Sequence, residues 1–142
     1  MKKKKLPIKW IVTVLVVVLF FAVWGMDIQR AKKYDIDVIA VSNLSPIANG
    51  KDLSYITIRV TRDGKPCANH EIEVRPTYGT FGAYILWTDE NGIAEFEYKA
   101  YEDEYYQPAG DDSIRIIDLS NSLLIEVWAE TTYTLTLQRH DG

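Results

Sequence analysis

The pattern of apolar and polar residues divides this chain into an N-terminal apolar run and a longer alternating part. From Trp10 to Gly25 the sequence WIVTVLVVVLFFAVWG carries no charged side chain. A run of this kind predicts a helix, and its sixteen residues give about 24 Å, somewhat less than the ~30 Å of a bilayer's hydrocarbon core. Leu6 to Ile8 extend the apolar stretch. The run therefore predicts one transmembrane helix.

Beyond this run the apolar residues recur at every second position, which is the spacing of half-buried strands. In Ser54–Thr61, for example, three apolar side chains share one face and polar side chains share the other. The stretch 123–137 would measure about 50 Å as one strand, so we expect a turn near Glu130–Thr132 to divide it. The predicted strands are residues 35–41, 54–61, 70–75, 84–88, 92–100, 113–119 and the two halves of 123–137. Short strands with regular turns predict an all-β fold, a β-sandwich.

Two turns that contain glycine separate predicted strands. Asp63 and Gly64 stand before Lys65-Pro66, where Asp-Gly supplies the positive φ of a turn and proline ends the ladder. Asn91 and Gly92 form an Asn-Gly pair, which is the strongest short hairpin signal. These two pairs are the predicted structural turns of the domain.

Two tryptophans and the flanking charges set the ends and the direction of the predicted span. Trp10 and Trp24 lie at its ends, where indole rings favour the headgroup region, and Lys9 can reach back to the interface with its ammonium group. Five lysines precede the run against three basic residues soon after it, so the positive-inside bias predicts a cytoplasmic N-terminus. The predicted organisation is a cytoplasmic tail at 1–9, a transmembrane helix at 10–26, a stalk at 27–35 and an extracytoplasmic β-domain at 36–139.

A cleaved signal peptide is the alternative to an anchor, because a basic start followed by an apolar run is common to both. Val23 and Gly25 are tolerable small residues before a cut ahead of Met26, but the segment has no Ala-x-Ala motif. The sequence therefore favours a retained anchor in the cell membrane.

Composition and charge limit the classes of molecule that the β-domain is expected to bind. All twenty acidic residues follow the apolar run, whereas five of the sixteen basic residues precede it. Residues 27–142 therefore carry 11 − 20 = −9 charges, which argues against nucleic acid or anionic lipid as the domain's partner. Cys67 is the single cysteine, so no internal disulfide forms.

Three segments of the alternating part resemble the bacterial immunoglobulin-like domains of the invasin/intimin group. The segments are ANGKDLSYITIRV with Asn49 and Gly50, TRDGKPCANHEIEV with Asp63–Pro66, and TDENGIAEFEY with Thr88–Ala94. The resemblance covers residues 36–100 and implies an immunoglobulin-like β-sandwich. Members of this group usually occur as tandem repeats, whereas this chain has one copy. Transthyretin-like and carboxypeptidase-regulatory-like sandwiches carry a similar pair of turns.

The residues with reactive or metal-binding side chains do not form a catalytic pattern. Cys67 and His70 are close in sequence, but the resembled group has a small core hydrophobe at position 67, and a buried cysteine packs as one. Glu102–Glu104 and Asp111–Asp112 could gather around calcium, yet their spacing is not that of a calcium loop. We therefore expect no enzyme activity, no metal site and no cofactor.

The loop Tyr101–Asp112 is the main candidate for contact with a partner. It combines Tyr101, Tyr105 and Tyr106 with acidic residues, and tyrosine is enriched in contact surfaces because it buries area at little entropic cost. The alternative is that these tyrosines fold back and cap the sandwich. Trp128 is a second candidate contact.

The expected function is that of a membrane-anchored, extracytoplasmic interaction or structural protein. The lipid bilayer holds the helix, and the domain binds another envelope protein or assembles with itself. A single sandwich on a stalk of under ten residues is too short for an adhesin that projects far from the membrane. The alternative function is a module that binds carbohydrate or cell wall through exposed aromatic rings.

Overall fold

The N-terminal segment is one unbroken helix that is long and apolar enough to cross a membrane. The computed structural model describes residues 3–5, 7–101, 110–120 and 127–139. Helix α1 is Ile8–Ala31, and every side chain from Ile8 to Met26 except half-buried Val23 is exposed. Since 24 residues rise about 36 Å, the helix exceeds the ~30 Å of a bilayer core.

The predicted stalk at 27–35 is largely a helical continuation of the span. Helix α1 continues to Ala31, and the first strand already begins at Tyr34, so only two residues separate the helix from the β-domain. The segment DIQRA has no proline or glycine to end the helix. One face of the last turns is covered, with Asp27 fully buried. The helix therefore runs directly into the domain.

The rest of the described chain forms nine strands. Their bounds are β1 Tyr34–Val41, β2 Leu53–Arg62, β3 Lys65–Pro66, β4 Glu71–Arg75, β5 Gly79–Phe81, β6 Ile85–Trp87, β7 Ile93–Ala100, β8 Gly110–Asp118 and β9 Ala129–Leu137. A sheet in the order β1-β2-β7-β5, with β3 also on β2, faces a sheet in the order β6-β4-β8-β9. All strand pairs are antiparallel. The predicted all-β sandwich is confirmed.

Successive side chains of a strand point to opposite faces, so the inward-facing apolar residues of both sheets form the core between them. Strand β2 buries Ile56, Ile58 and Val60 completely or almost so, and the polar residues between them face outward. The four-stranded sheet presents Ile72, Val74, Ile114, Ile116 and Leu135 in the same way.

The hairpin at Asp63-Gly64 has the geometry that its sequence predicts. Thr61 pairs with Pro66 and Arg62 with Lys65, leaving a two-residue loop. Asp63 has φ 50° and Gly64 has φ 78°, as a type I′ turn requires at both positions.

The turn at Asn91-Gly92 differs from the predicted hairpin, because β6 and β7 lie in different sheets. Gly92 alone has positive φ, at 73°, and the Asp89 carboxylate accepts the N–H groups of Asn91 at 2.8 Å and Ile93 at 3.0 Å. Gly92 lies against the backbone of Val60 and Cys67. A close approach of two chain segments, in addition to turn conformation, accounts for this glycine.

The predicted turn near Glu130–Thr132 is also wrong. Strand β9 runs through these residues, and each of its nine positions pairs with one of β8. The apolar pattern was continuous because 129–137 is a single strand of about 30 Å. Residues 121–126 lie outside the described part of the chain.

Candidate binding surface

Two exposed tyrosines lie at the end of the sandwich opposite the helix. We call this the far end; it comprises residues 42–52, 76–79 and 82–84, whereas the helix end comprises the 63–64 hairpin and residues 67–70 and 88–92. The side chains of Tyr78 and Tyr84 are 42% and 47% exposed. Tyr101 is half-buried next to Tyr78, and its N–H donates to the Tyr78 carbonyl at 3.0 Å. We call these three residues the tyrosine rim.

A buried carboxylate fixes the loop that carries the tyrosine rim. Asp112 of β8 is fully buried, and it accepts the N–H groups of Thr77 at 2.9 Å and Tyr78 at 3.1 Å. It also accepts the hydroxyl of Tyr98 at 2.6 Å. Three donors satisfy the buried charge, as such a group requires. The loop between β4 and β5 is thereby tied to β8, the inner strand next to β4.

Glycine and tyrosine pack tightly beneath this loop. A Cβ atom at Gly79 would overlap the ring of Tyr98, so only glycine lets the ring lie against the β5 backbone. Burial, followed by the hydrogen bond to Asp112, raises the pKa of Tyr98 well above its usual range. The hydroxyl therefore stays protonated and remains a donor to the carboxylate.

The edge strand β6 and the residue before it carry further exposed apolar side chains. The Tyr84 carbonyl accepts the N–H of Val74 at 2.9 Å, and the Tyr84 ring packs edge-on against Phe81 with centroids 6.3 Å apart. Ile85 and Trp87 follow on the outer face, 39% and 61% exposed. An edge with this much exposed apolar area is typical of an interaction site.

The sequence-predicted contact residues do not form one patch. Tyr101 belongs to the tyrosine rim at the far end, whereas half-buried Trp128 precedes β9 at the helix end. Tyr105 and Tyr106 lie outside the described residues. The strand pattern did not identify Tyr78, Tyr84 and Trp87 as contact residues. The segment YILWT is apolar on both faces. In a short strand at a sheet edge, such a pattern indicates that one of the two apolar faces is exposed.

The sequence-predicted acidic pair Asp111-Asp112 is divided between two faces of β8. Asp112 is buried, whereas exposed Asp111 accepts the hydroxyl of Thr136 at 3.0 Å. Successive strand residues point to opposite faces, so the two carboxylates cannot converge on one ion. Within the described residues no group of three His, Cys, Asp or Glu side chains could hold a metal ion. Residues 102–104 lie outside that part.

Cys67 and His70 have separate partners. The His70 Nδ1 atom lies 2.7 Å from a carboxylate oxygen of fully buried Asp118. Cys67 is buried, and burial followed by the nearby Asp118 charge raises the pKa of its thiol. A raised pKa disfavours the thiolate, which is the nucleophilic form.

The fold is that of intimin domains among solved structures. A C-terminal 282-residue fragment of intimin, in complex with the intimin-binding domain of the translocated intimin receptor, superimposes with a TM-score of 0.55 at 20% identity and 72% coverage of this chain. The D00–D0 domains of intimin give 0.55 at 15% identity and 73% coverage. This chain spans 33% and 48% of those chains. The predicted resemblance to the invasin/intimin group is thus confirmed for the fold.

Sequence comparisons add nothing to this likeness. No family model matches the chain, and no curated protein matches it.

Proposed function

We propose that this protein is a membrane-anchored, extracytoplasmic immunoglobulin-like module that binds another envelope protein through its far end. Helix α1 spans the membrane with its basic N-terminus in the cytoplasm. The tyrosine rim, which lies opposite the helix, then faces away from the bilayer and contacts the partner.

The exposure of α1 supports the anchor. Its apolar residues from Ile8 to Met26 are uncovered in the structure, and burying them in hydrocarbon would contribute about 25 cal/mol per Å². Lysines precede the helix in greater number than basic residues follow it, which supports a cytoplasmic N-terminus.

The ordered tyrosine rim is the observation that carries the binding proposal. Tyr78 and Tyr84 expose large amphipathic rings, while Asp112 holds the Tyr78 backbone through a partly buried hydrogen bond. A backbone that is held before binding loses little entropy on contact, and a tyrosine ring has few torsions to order. The intimin fragment of the same fold was solved with a receptor protein bound, which supports a protein as the class of partner.

A carbohydrate or cell-wall partner is the second proposal, and Trp87 favours it. This side chain is 61% exposed and pairs in register with Glu71 of β4. An exposed indole beside a carboxylate suits stacking on a sugar ring with hydrogen bonds to its hydroxyls.

Quantitative co-purification from detergent-solubilised membranes tests the primary proposal. The Tyr78→Ser/Tyr84→Ser variant should lose at least about tenfold of the co-purifying partner, corresponding to roughly 1.4 kcal/mol or more of binding free energy. The matched control is Tyr55→Ser, because Tyr55 is 37% exposed on the outer face of the other sheet. Thermal melts of all three chains establish that the fold is kept.

The two proposals predict different results. Equal recovery of the partner by the double variant and the control would contradict the protein-binding surface. Retention on isolated cell wall that is lost in Trp87→Ser but not in Tyr78→Ser/Tyr84→Ser would establish the carbohydrate alternative.

A further inference from the structure

The basic residues of the acidic β-domain are concentrated at its helix end. Of the eleven lysines and arginines from residue 27 onward, five lie where α1 meets the sandwich, namely Arg30, Lys32, Lys33, Arg62 and Lys65. The Lys33 carbonyl accepts the N–H of Asp63 at 3.2 Å, which joins the end of the helix segment to the β2–β3 hairpin. Asp27, Asp63, Asp89 and Glu90 lie at the same end, so the basic residues there offset the acidic ones, whereas residues 27–142 as a whole carry −9 charges.

A cavity of about 480 Å³ opens between the hairpin and the start of β1. Tyr34, Arg62, Lys65 and His70 line it, together with Pro66, Cys67 and Asp63. The Arg62 guanidinium carbon lies 5.5 Å from the centroid of the Tyr34 ring, a distance at which a cation and a ring face attract. Arg62 and Lys65 are exposed, so their donors are accessible to a ligand.

His70 is oriented by a residue behind the cavity. Its Nδ1 atom lies 2.7 Å from the carboxylate of fully buried Asp118, and its ring lies 5.5 Å from that of Tyr34. Because Nδ1 contacts Asp118, the Nε2 atom is the ring nitrogen left for a ligand. Asp118 lies behind the lining, on which Asp63 is the acidic group.

The cavity lies at the level of the lipid headgroups if α1 spans the membrane. Residues Asp27–Ala31 continue the helix by five residues beyond the apolar run, which is about 7.5 Å. The headgroup layer on each side of the hydrocarbon core is about 5–8 Å thick. Lys32 and Lys33 follow, and Tyr34 then begins the wall of the cavity.

We propose that this cavity binds the phosphate group of an anionic phospholipid headgroup. The Arg62 guanidinium and the Lys65 ammonium group donate to the phosphate oxygens, and His70 Nε2 contacts a headgroup hydroxyl. The bound lipid fixes the orientation of the sandwich on the bilayer. This inference rests on the anchor in the proposed function but not on the partner at the far end.

Native mass spectrometry of the full chain in nonionic detergent micelles tests the site. With equimolar phosphatidylglycerol and phosphatidylcholine, the wild-type chain should retain phosphatidylglycerol in preference. Arg62→Gln/Lys65→Gln should reduce that preference by roughly 10- to 30-fold, since each basic side chain near a membrane surface contributes about a fivefold factor. The control, Arg59→Gln/Lys99→Gln, removes the same charge from the outer face of the five-stranded sheet and should keep the preference.

Three results would overturn the proposal. They are a wild-type chain that does not distinguish the two lipids, a cavity variant that retains phosphatidylglycerol like the wild type, and a control that loses it equally. Excess soluble glycerol phosphate should not displace the lipid; displacement would identify a soluble phosphate as the ligand instead. Co-purification through the tyrosine rim does not depend on Arg62 or Lys65, so failure here leaves that test unaffected.

Discussion

At the residue scale, Asp112 gives the far end its order. Its two carboxylate oxygens collect two backbone N–H groups and the Tyr98 hydroxyl. In the sequence this residue belongs to an acidic loop, where carboxylates are normally solvated. Its burial depends on Thr77 and Tyr78, which are 35 and 34 positions away, so no local pattern could predict it.

Replacing Tyr98 by Phe should destabilise the domain. The substitution removes the hydrogen bond to Asp112 and leaves a buried charge with one donor fewer, at a cost of about 1.5–3 kcal/mol. Urea unfolding of the full chain in micelles, followed by near-ultraviolet circular dichroism, measures the loss. A change below about 0.5 kcal/mol, the usual range for surface substitutions, would contradict the role of this network.

The same residue should make stability fall at alkaline pH. Because the folded-state pKa of Tyr98 is raised, its contribution is full below the unfolded tyrosine pKa of about 10 and is lost as pH rises above it. The unfolding free energy should drop by about 1.4 kcal/mol per pH unit from this group. Between pH 10 and 11 the unfolding free energy of the Tyr98→Phe chain should fall less steeply with pH than that of the wild type. Equal slopes would refute the assignment of this effect to Tyr98.

At the scale of elements, the sequence located most strands but missed β3 and β5 and divided β9. Strands β2 and β7 alternate over eight or more residues, and the pattern located both. Strand β5 has only three residues, too few to show alternation. The tyrosine rim was missed for the same reason, since Tyr78 and Tyr84 flank short strands and only strand pairing at the sheet edges determines their exposure.

The two turn glycines should differ in their tolerance of a side chain. Gly64 has positive φ but open space around it, so Gly64→Ala should cost about 1–2 kcal/mol for the left-handed conformation. Gly92 has positive φ and its added Cβ would meet the Val60 carbonyl, so Gly92→Ala should cost about 2–5 kcal/mol, conformation and overpacking together. Urea unfolding ranks the two, and the reverse order would contradict the close approach at Gly92.

Helix α1 should be retained in the mature protein. The bond before Met26 lies inside a continuous helix, so a protease would not find an extended segment there. Intact mass of the membrane-extracted chain should include the apolar run. A mature chain that begins at Met26 would contradict the anchor.

At the scale of the whole molecule, the two ends of the sandwich carry different chemistry. The helix end combines α1, five basic residues and the cavity, whereas the far end carries the tyrosine rim on an otherwise acidic domain. The ten residues of β2 separate these ends by about 33 Å. This arrangement suits a module that is held at the bilayer by one end and binds a partner with the other.

Photocrosslinking in intact host cells tests this arrangement most directly. A photoreactive phenylalanine derivative replaces Tyr84 on the tyrosine rim or, as the control, Tyr55 on the outer face of the five-stranded sheet; the two native side chains are 47% and 37% exposed. We predict one discrete protein adduct from position 84 and none of comparable yield from position 55. No adduct at 84, or equal adducts at both positions, would contradict a binding surface at the far end.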